Sequence, residues 1–320
     1  MKDQDLEARQ PRAESGTGAL LRWYPAWRCM SIAVLAGLLL LTAIASWAEV
    51  PASSSAASLR AQYAVLQGRL NANPFAQPLV LESKETSSHE QGEIHAIVDY
   101  PFATVKSALG DTAHWCDILI LHLNVKYCHA SEDPASSSLA VQIGRKYPEA
   151  LDARRSVVFA HEVVSEAPDY FQTRLAAESG PYSTTQYSIV LEAVPLPGGR
   201  TFLHLSFSYG FGARGALAMR AYLATAGSGK IGFTVVGRND DGAPSYIGDM
   251  RGVLERNTMR YYLAIDAYLK TLSSPQDQLE RRLGEWYAST ERYSAQLHEL
   301  DETTYLAMKR DEYRRQQRTP

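Results

Sequence analysis

The chain has 320 residues, of which 45% are hydrophobic and 21% charged, with a formal net charge of -3. That is the composition of a folded protein with room for one large or two small domains. Near-neutrality removes the electrostatic basis for nucleic acid or another strongly charged polymer as partner.

Residues 1–48 have the order of an export leader. Arg9, Arg12, Arg22 and Arg28 precede an uncharged apolar run at 31–45, and Ser46-Trp47-Ala48 closes it ahead of Glu49. Basic residues stay in the cytoplasm, the apolar run enters the bilayer, and small residues at 46 and 48 suit a signal peptidase; cleavage is expected after Ala48. The alternative is an uncleaved anchor over 30–48, close to the ~20 apolar residues of a membrane span. Either way the remainder lies outside the cytoplasm, periplasmic or secreted, or membrane-anchored there. No cysteine follows the run closely enough for lipid attachment and the leader has no Arg-Arg pair, so the chain is expected to cross unfolded. Cleavage removes Cys29 and leaves Cys116 and Cys128 in a compartment where disulfides persist. We expect these two to pair; the alternative is two buried free thiols.

Residues 49–77 begin rich in Ser and Ala and read as a flexible spacer, with a short helix over 59–70. The folded domain is expected over 78–274. Strands are predicted at 79–83 and 92–98, the second alternating as Ile94, Ala96 and Val98. Pro101 opens a helix carrying Phe102, Val105, Ala108 and Leu109 at helical spacing. Beyond Gly110-Asp111, residues 115–125 are too apolar for a surface and read as a second buried helix or turn. From Ser138 the period changes to two: Leu139, Val141 and Ile143; Val157, Phe159 and Val163-Val164; 170–175; Tyr187, Ile189 and Leu191; 202–209. Ser179-Gly180-Pro181 and Pro197-Gly198-Gly199 punctuate what is therefore an antiparallel meander.

A helix at 213–226, a strand at 231–236 and a loop at 238–244 follow. Residues 249–272 form a long helix with Val253, Asn257, Tyr261, Ala264, Ile265, Tyr268 and Leu269 on one face, expected against the sheet. In the segment 275–320 a 4-3-4-3 stripe through Leu279, Leu283, Trp286, Thr290, Tyr293, Leu297, Leu300 and Thr304 has a coiled-coil period and predicts an amphipathic helix of about 40 residues. No internal repeat is visible.

This order of elements resembles the START-like superfamily, also called SRPBCC. The resemblance rests on Ile94 to Val98 followed by Pro101-Phe102-Ala103-Thr104-Val105, and on 251–272 as the closing helix, over about residues 90–272. It implies an α+β helix-grip fold, a curved antiparallel sheet wrapped on a long helix, here with a long C-terminal helix added. It also implies an apolar cavity for a lipid or other hydrophobic small molecule. The residues provide a lining: Phe202, His204, Phe207, Tyr209 and Phe233 from strands, and Asn257, Tyr261 and Tyr268 from the closing helix. The same aromatics would equally fill a solid core.

Other motifs are weaker. Gly210-Phe211-Gly212-Ala213-Arg214-Gly215 fits GxGxxG between a strand and a helix, with Asp240 and Asp241 beyond, but no series of βαβ units follows; the glycines read as a sharp exit from the last strand. The eight histidines form no metal-binding spacing, there is no GxSxG, and no cofactor or metal is expected. The basic end of the tail, Lys309, Arg310, Arg314, Arg315 and Arg318, reads as a solvated helix terminus or as contact, through 275–318, with anionic lipid or a partner helix. The expected function is non-catalytic binding of a hydrophobic molecule by an exported protein. Two alternatives stand: an enzyme of the same fold, of cyclase or hydrolase type, using His204 with Asp266 or Glu192; and an envelope interaction protein docking through its tail.

Overall fold

The computed structural model describes residues 55–131, 137–147, 155–225, 227–273 and 277–318. The leader, its cleavage or anchoring, and the junction at Pro275 lie outside them. Eight strands form one antiparallel sheet: β1 (Leu79–Glu85), β2 (His89–Val98), β3 (Val125–Ala130), β4 (Ser138–Ile143), β5 (Arg155–Glu166), β6 (Phe171–Ser179), β7 (Thr184–Leu196) and β8 (Arg200–Phe211). Their spatial order is β1-β2-β8-β7-β6-β5-β4-β3, so the meander from β3 to β8 returns to lie beside β2. Register shifts in β3 between Val125 and Tyr127, in β5 between Val163 and Ser165, and in β7 between Thr185 and Ser188 add the local bends that curve such a sheet.

Two short helices, α2 (Phe102–Gly110) and α3 (Thr112–Leu119), connect β2 to β3. Pro101 occupies the cap of α2, and Asp111 caps α3 by accepting a hydrogen bond from the Ala113 N–H at 2.8 Å. A disulfide joins Cys116 on α3 to Cys128 on β3. The concave face of the sheet is crossed by α5 (Asp249–Thr271), whose Leu254, Leu263 and Ala264 are fully buried. Gly92 makes the close approach possible: a Cβ there would lie 2.2 Å from Thr258 Oγ1 on α5.

Three features depart from the sequence expectations. The stretch read as a spacer does carry a helix over 59–70, as part of α1 (Ala56–Asn71), but the helix is packed: it lays Leu59, Leu66 and Leu70 on the opposite, convex face of the sheet against Val80, Tyr170, Val194 and Phe202. The single 40-residue tail helix is divided into α6 (Gln278–Glu291), α7 (Ser294–Leu297) and α8 (Glu302–Arg318). Tyr293 leaves helical geometry after α6, and Asp301 caps α8 by accepting from the Thr304 N–H at 2.9 Å. Its stripe is used internally: Leu283, Trp286 and Leu297 join the core, and Tyr305 and Met308 of α8, outside the stripe, join it too.

The third departure concerns 213–246. The helix is α4 (Ala213–Leu223), but the strand begins only at Val235 and pairs as β9 (Val235–Arg238) with β10 (Pro244–Tyr246) in a separate hairpin. Among the described residues no parallel strand follows α4, so GxGxxG lacks its βαβ setting and Asp240 and Asp241 lie in the hairpin turn. No helix among the described residues is long and apolar enough to cross a membrane.

Candidate functional site

Alternation along the strands sends two sets of side chains to opposite faces. On β8, Leu203, Leu205, Phe207, Tyr209 and Phe211 face α5, whereas Phe202 and His204 face α1. The concave set continues into an aromatic wall. Phe207 meets Tyr261 of α5 at 5.1 Å between ring centroids, Tyr187 stacks on Tyr209 at 5.4 Å, and Phe159 meets Tyr187 edge-on at 6.5 Å. His122 stacks on Tyr261 at 4.8 Å.

Within this wall Phe159, Phe207 and Tyr209 are buried, but Tyr187 and Tyr261 are only partly so. Val253 and Asn257, at the same helical position one and two turns before Tyr261, are also partly buried. Tyr261 touches the sheet and yet retains some accessible surface, so the packing of helix on sheet is incomplete along this strip. Ala216, Met219 and Leu223 of α4 pack against the same core.

Two polar groups in the wall lack a protein partner. Glu90 lies opposite Tyr209 in the β2–β8 register, is wholly buried, and neither carboxyl oxygen makes a hydrogen bond. Burial, reinforced by Glu85 and opposed by Arg251, pushes its pKa up to about 8, so it is a neutral acid at neutral pH. His122 Nδ1 accepts from the Asn124 N–H at 3.1 Å, which leaves the ring proton on Nε2, and Nε2 is unpartnered. Burial first, then Arg260 and neighbouring lysines, hold this imidazole neutral. The site thus presents a broad apolar surface and two hydrogen-bond donors.

The core is a strand, β2, followed by two helices, a six-stranded antiparallel meander that closes beside β2, and a long helix across the concave face. The fold is START-like. No known protein family matches the sequence and no curated protein matches it. Similar solved structures include Ara h 8.0201, with 11% identity, 57% of this chain and 98% of that chain covered, and a TM-score of 0.34. Truncated norcoclaurine synthase from Thalictrum flavum shows 11% identity over 45% and 89%, with a TM-score of 0.31. Human StAR-related lipid transfer protein 5 shows 12% identity over 49% and 83%, with a TM-score of 0.27. Overlays this loose add nothing to the strand order, which decides the START-like architecture. Relative to that plan, α1, β1 and the tail are additions.

The eight lining residues expected from sequence are divided by this START-like core. Phe207, Tyr209 and Tyr261 come together, with Asn257 one turn away on the same strip. Phe202 and His204 lie on the wrong face of the sheet for this site, because a step of one residue along a strand reverses the side chain. Phe233 packs with Phe75 and Tyr293, each at 5.7 Å, and Tyr268 lies under the Arg282 guanidinium at 4.4 Å, beside His114. The sequence reading missed Glu90, His122, Phe159 and Tyr187 as site residues. Glu90 was accessible to it, since extending the Ile94, Ala96, Val98 alternation backwards through Gly92 reaches position 90.

Beneath α1 a second polar cluster has formed. His204 Nδ1 meets Glu192 at 2.8 Å and Nε2 meets Glu93 at 3.4 Å; Tyr170 donates to Glu192 at 2.6 Å. His95 stacks on His204 at 4.3 Å and reaches Gln62 of α1 at 3.0 Å. Burial disfavours the His204 charge, but the two carboxylates outweigh it and push its pKa up to about 9, while burial and the His204 charge push His95 down to about 4. His204 is therefore a fixed imidazolium at neutral pH, unsuited to act as a base, and Asp266 is engaged with Tyr100 instead. Among the described residues no group of three His, Cys, Asp or Glu is placed to hold a metal.

Proposed function

We propose that this protein binds a hydrophobic small molecule or lipid between the concave face and α5, outside the cytoplasm, without converting it. The observation that carries this is the partly exposed strip of Val253, Asn257 and Tyr261 facing an aromatic wall, with Glu90 and His122 as unpartnered donors to orient a polar group. The leader order and the Cys116–Cys128 disulfide support the compartment. Docking through the tail has less support, because the apolar stripe of 275–318 lies in the core and Arg310 and Arg314 are paired with Glu280 and Asp311.

Native mass spectrometry of the exported protein, followed by organic extraction, tests the proposal. A hydrophobic species at near-stoichiometric level, lost in Tyr261→Ala protein, is expected. Ligand-free protein that also ignores a panel of lipids would overturn it. One observation favours the enzyme reading: a carboxylic acid with a pKa near 8 beside Tyr209 has the properties of a general acid. If turnover of a bound species occurs, Glu90→Gln should abolish it while preserving binding.

A further inference from the structure

Away from the aromatic wall, four cations from three segments converge on one carboxylate. Glu299, in the loop between α7 and α8, is 3% exposed and pairs with Lys230 at 2.6 Å, with Arg260 at 3.2 Å, and with Lys146 and Arg256. Lys146 follows β4, Lys230 follows α4, and Arg256 and Arg260 sit one turn apart on α5. The two arginines form a buried floor, at 5% and 1% exposure, whereas Lys146 and Lys230 reach solvent at 15% and 21%.

Arg260 also donates to the Leu297 carbonyl, a neutral acceptor. For Lys146, Lys230 and Arg256, Glu299 is the one acidic partner among the described residues, so these three basic groups share a single negative charge. A clamp that merely fastened the tail would need no more than one cation, and largely buried like charges that share one counter-ion repel each other in a poorly screened setting. Lys146 registers this, its pKa pushed down to about 7 by burial and by Arg260.

We propose that this hub is an anion-binding site for a phosphate group, gripped by the Lys146 and Lys230 ammonium groups over the Arg256 guanidinium, with Glu299 setting the spacing of the cations. Two flexible ammonium donors over a planar guanidinium form a donor set matched to a tetrahedral oxyanion. The phosphate is either free or the head of an amphiphile. The second source rests on the ligand reading above; His122, stacked on Tyr261 in the aromatic wall, lies within the field of Arg260 and Lys146.

Calorimetric titration of the intact exported chain with inorganic phosphate, dodecyl phosphate and dodecanol, at constant ionic strength set with chloride, tests the site. One saturable phosphate per chain is expected, weakened about tenfold or more in Lys230→Gln and lost in the Lys146→Gln, Lys230→Gln double variant. Dodecyl phosphate binding at least ~10-fold tighter than phosphate would identify an amphiphile head, and equal affinities a free anion. In Glu299→Gln protein, melting should fall without phosphate and recover saturably with it; the lysine variants keep the test readable if that protein does not fold. Phosphate heats no different from chloride, or unchanged affinity in the double variant, would overturn the proposal and leave Glu299 as an internal clamp. The failure is separable from that of the ligand site, which dodecanol reports by itself.

Discussion

Glu90 and His204 are both buried ionisable groups on neighbouring central strands, and they respond to pH for different reasons. Glu90 has no counter-ion in hydrogen-bond reach, and its folded pKa of about 8 exceeds its ordinary 4.5. The folded state therefore holds a proton that the unfolded chain releases between those values, and stability falls as pH rises through that window. Glu90→Gln, which keeps the shape and removes the ionisation, should raise the melting temperature, with a gain that grows from pH 5 to pH 8. A pH-independent gain would show that Glu90 is already ionised in the folded protein. His204 is held between Glu192 and Glu93, and its folded pKa of about 9 lies above the ordinary 6.5. Its stabilisation is complete below 6.5 and fades as pH climbs towards 9. His204→Gln leaves two buried carboxylates without their cation, expected to cost roughly 3–5 kcal/mol at pH 6. In chemical denaturation the gap between variant and parent should narrow at alkaline pH.

Elements whose residues report only on their own backbone were legible in the sequence; those defined by a partner were not. The meander could be read because Leu139, Val141 and their successors alternate, and α5 because its apolar residues recur at three and four. β3 escaped because it is six residues long, irregular at Val125, and bonded on one side by side chains of α8. In α1, Leu59, Leu66 and Leu70 do share a helical face, but which surface they cover depends on the convex side of the sheet. The tail stripe continued in phase across a real break, and the cap at Asp301, followed by Glu302 and Thr304, was the local signal that outweighed it. Two predictions belong here. Leu59→Ala and Leu70→Ala, both at 1% exposure, should each cost about 2–5 kcal/mol by calorimetry, a loss that a loosely attached spacer would not show. Reducing the Cys116–Cys128 bridge, whose partners are 12 residues apart, should cost about 3 kcal/mol in the chain-entropy account.

At the scale of the molecule, the C-terminal segment is part of the folding unit. Trp286 is 1% exposed and donates its indole N–H to the Arg260 carbonyl; Tyr305 is fully buried and donates to the Leu121 carbonyl. A chain ending at residue 273 loses these together with Leu283, Leu297 and Met308, and should show no cooperative melting transition. The segment is also positioned at one border of the sheet. β3 is the last strand in the order, so one line of its backbone groups has no neighbouring strand. Side chains of α8 take part of that line: Gln316 accepts from the Cys128 N–H at 3.0 Å, and Lys309 donates to the Val125 carbonyl at 2.7 Å. A border strand left bare invites strands from other molecules. The last helix thus keeps the sheet from extending itself between chains, and a milder truncation, after α7, should yield a protein that self-associates through β3 before it unfolds.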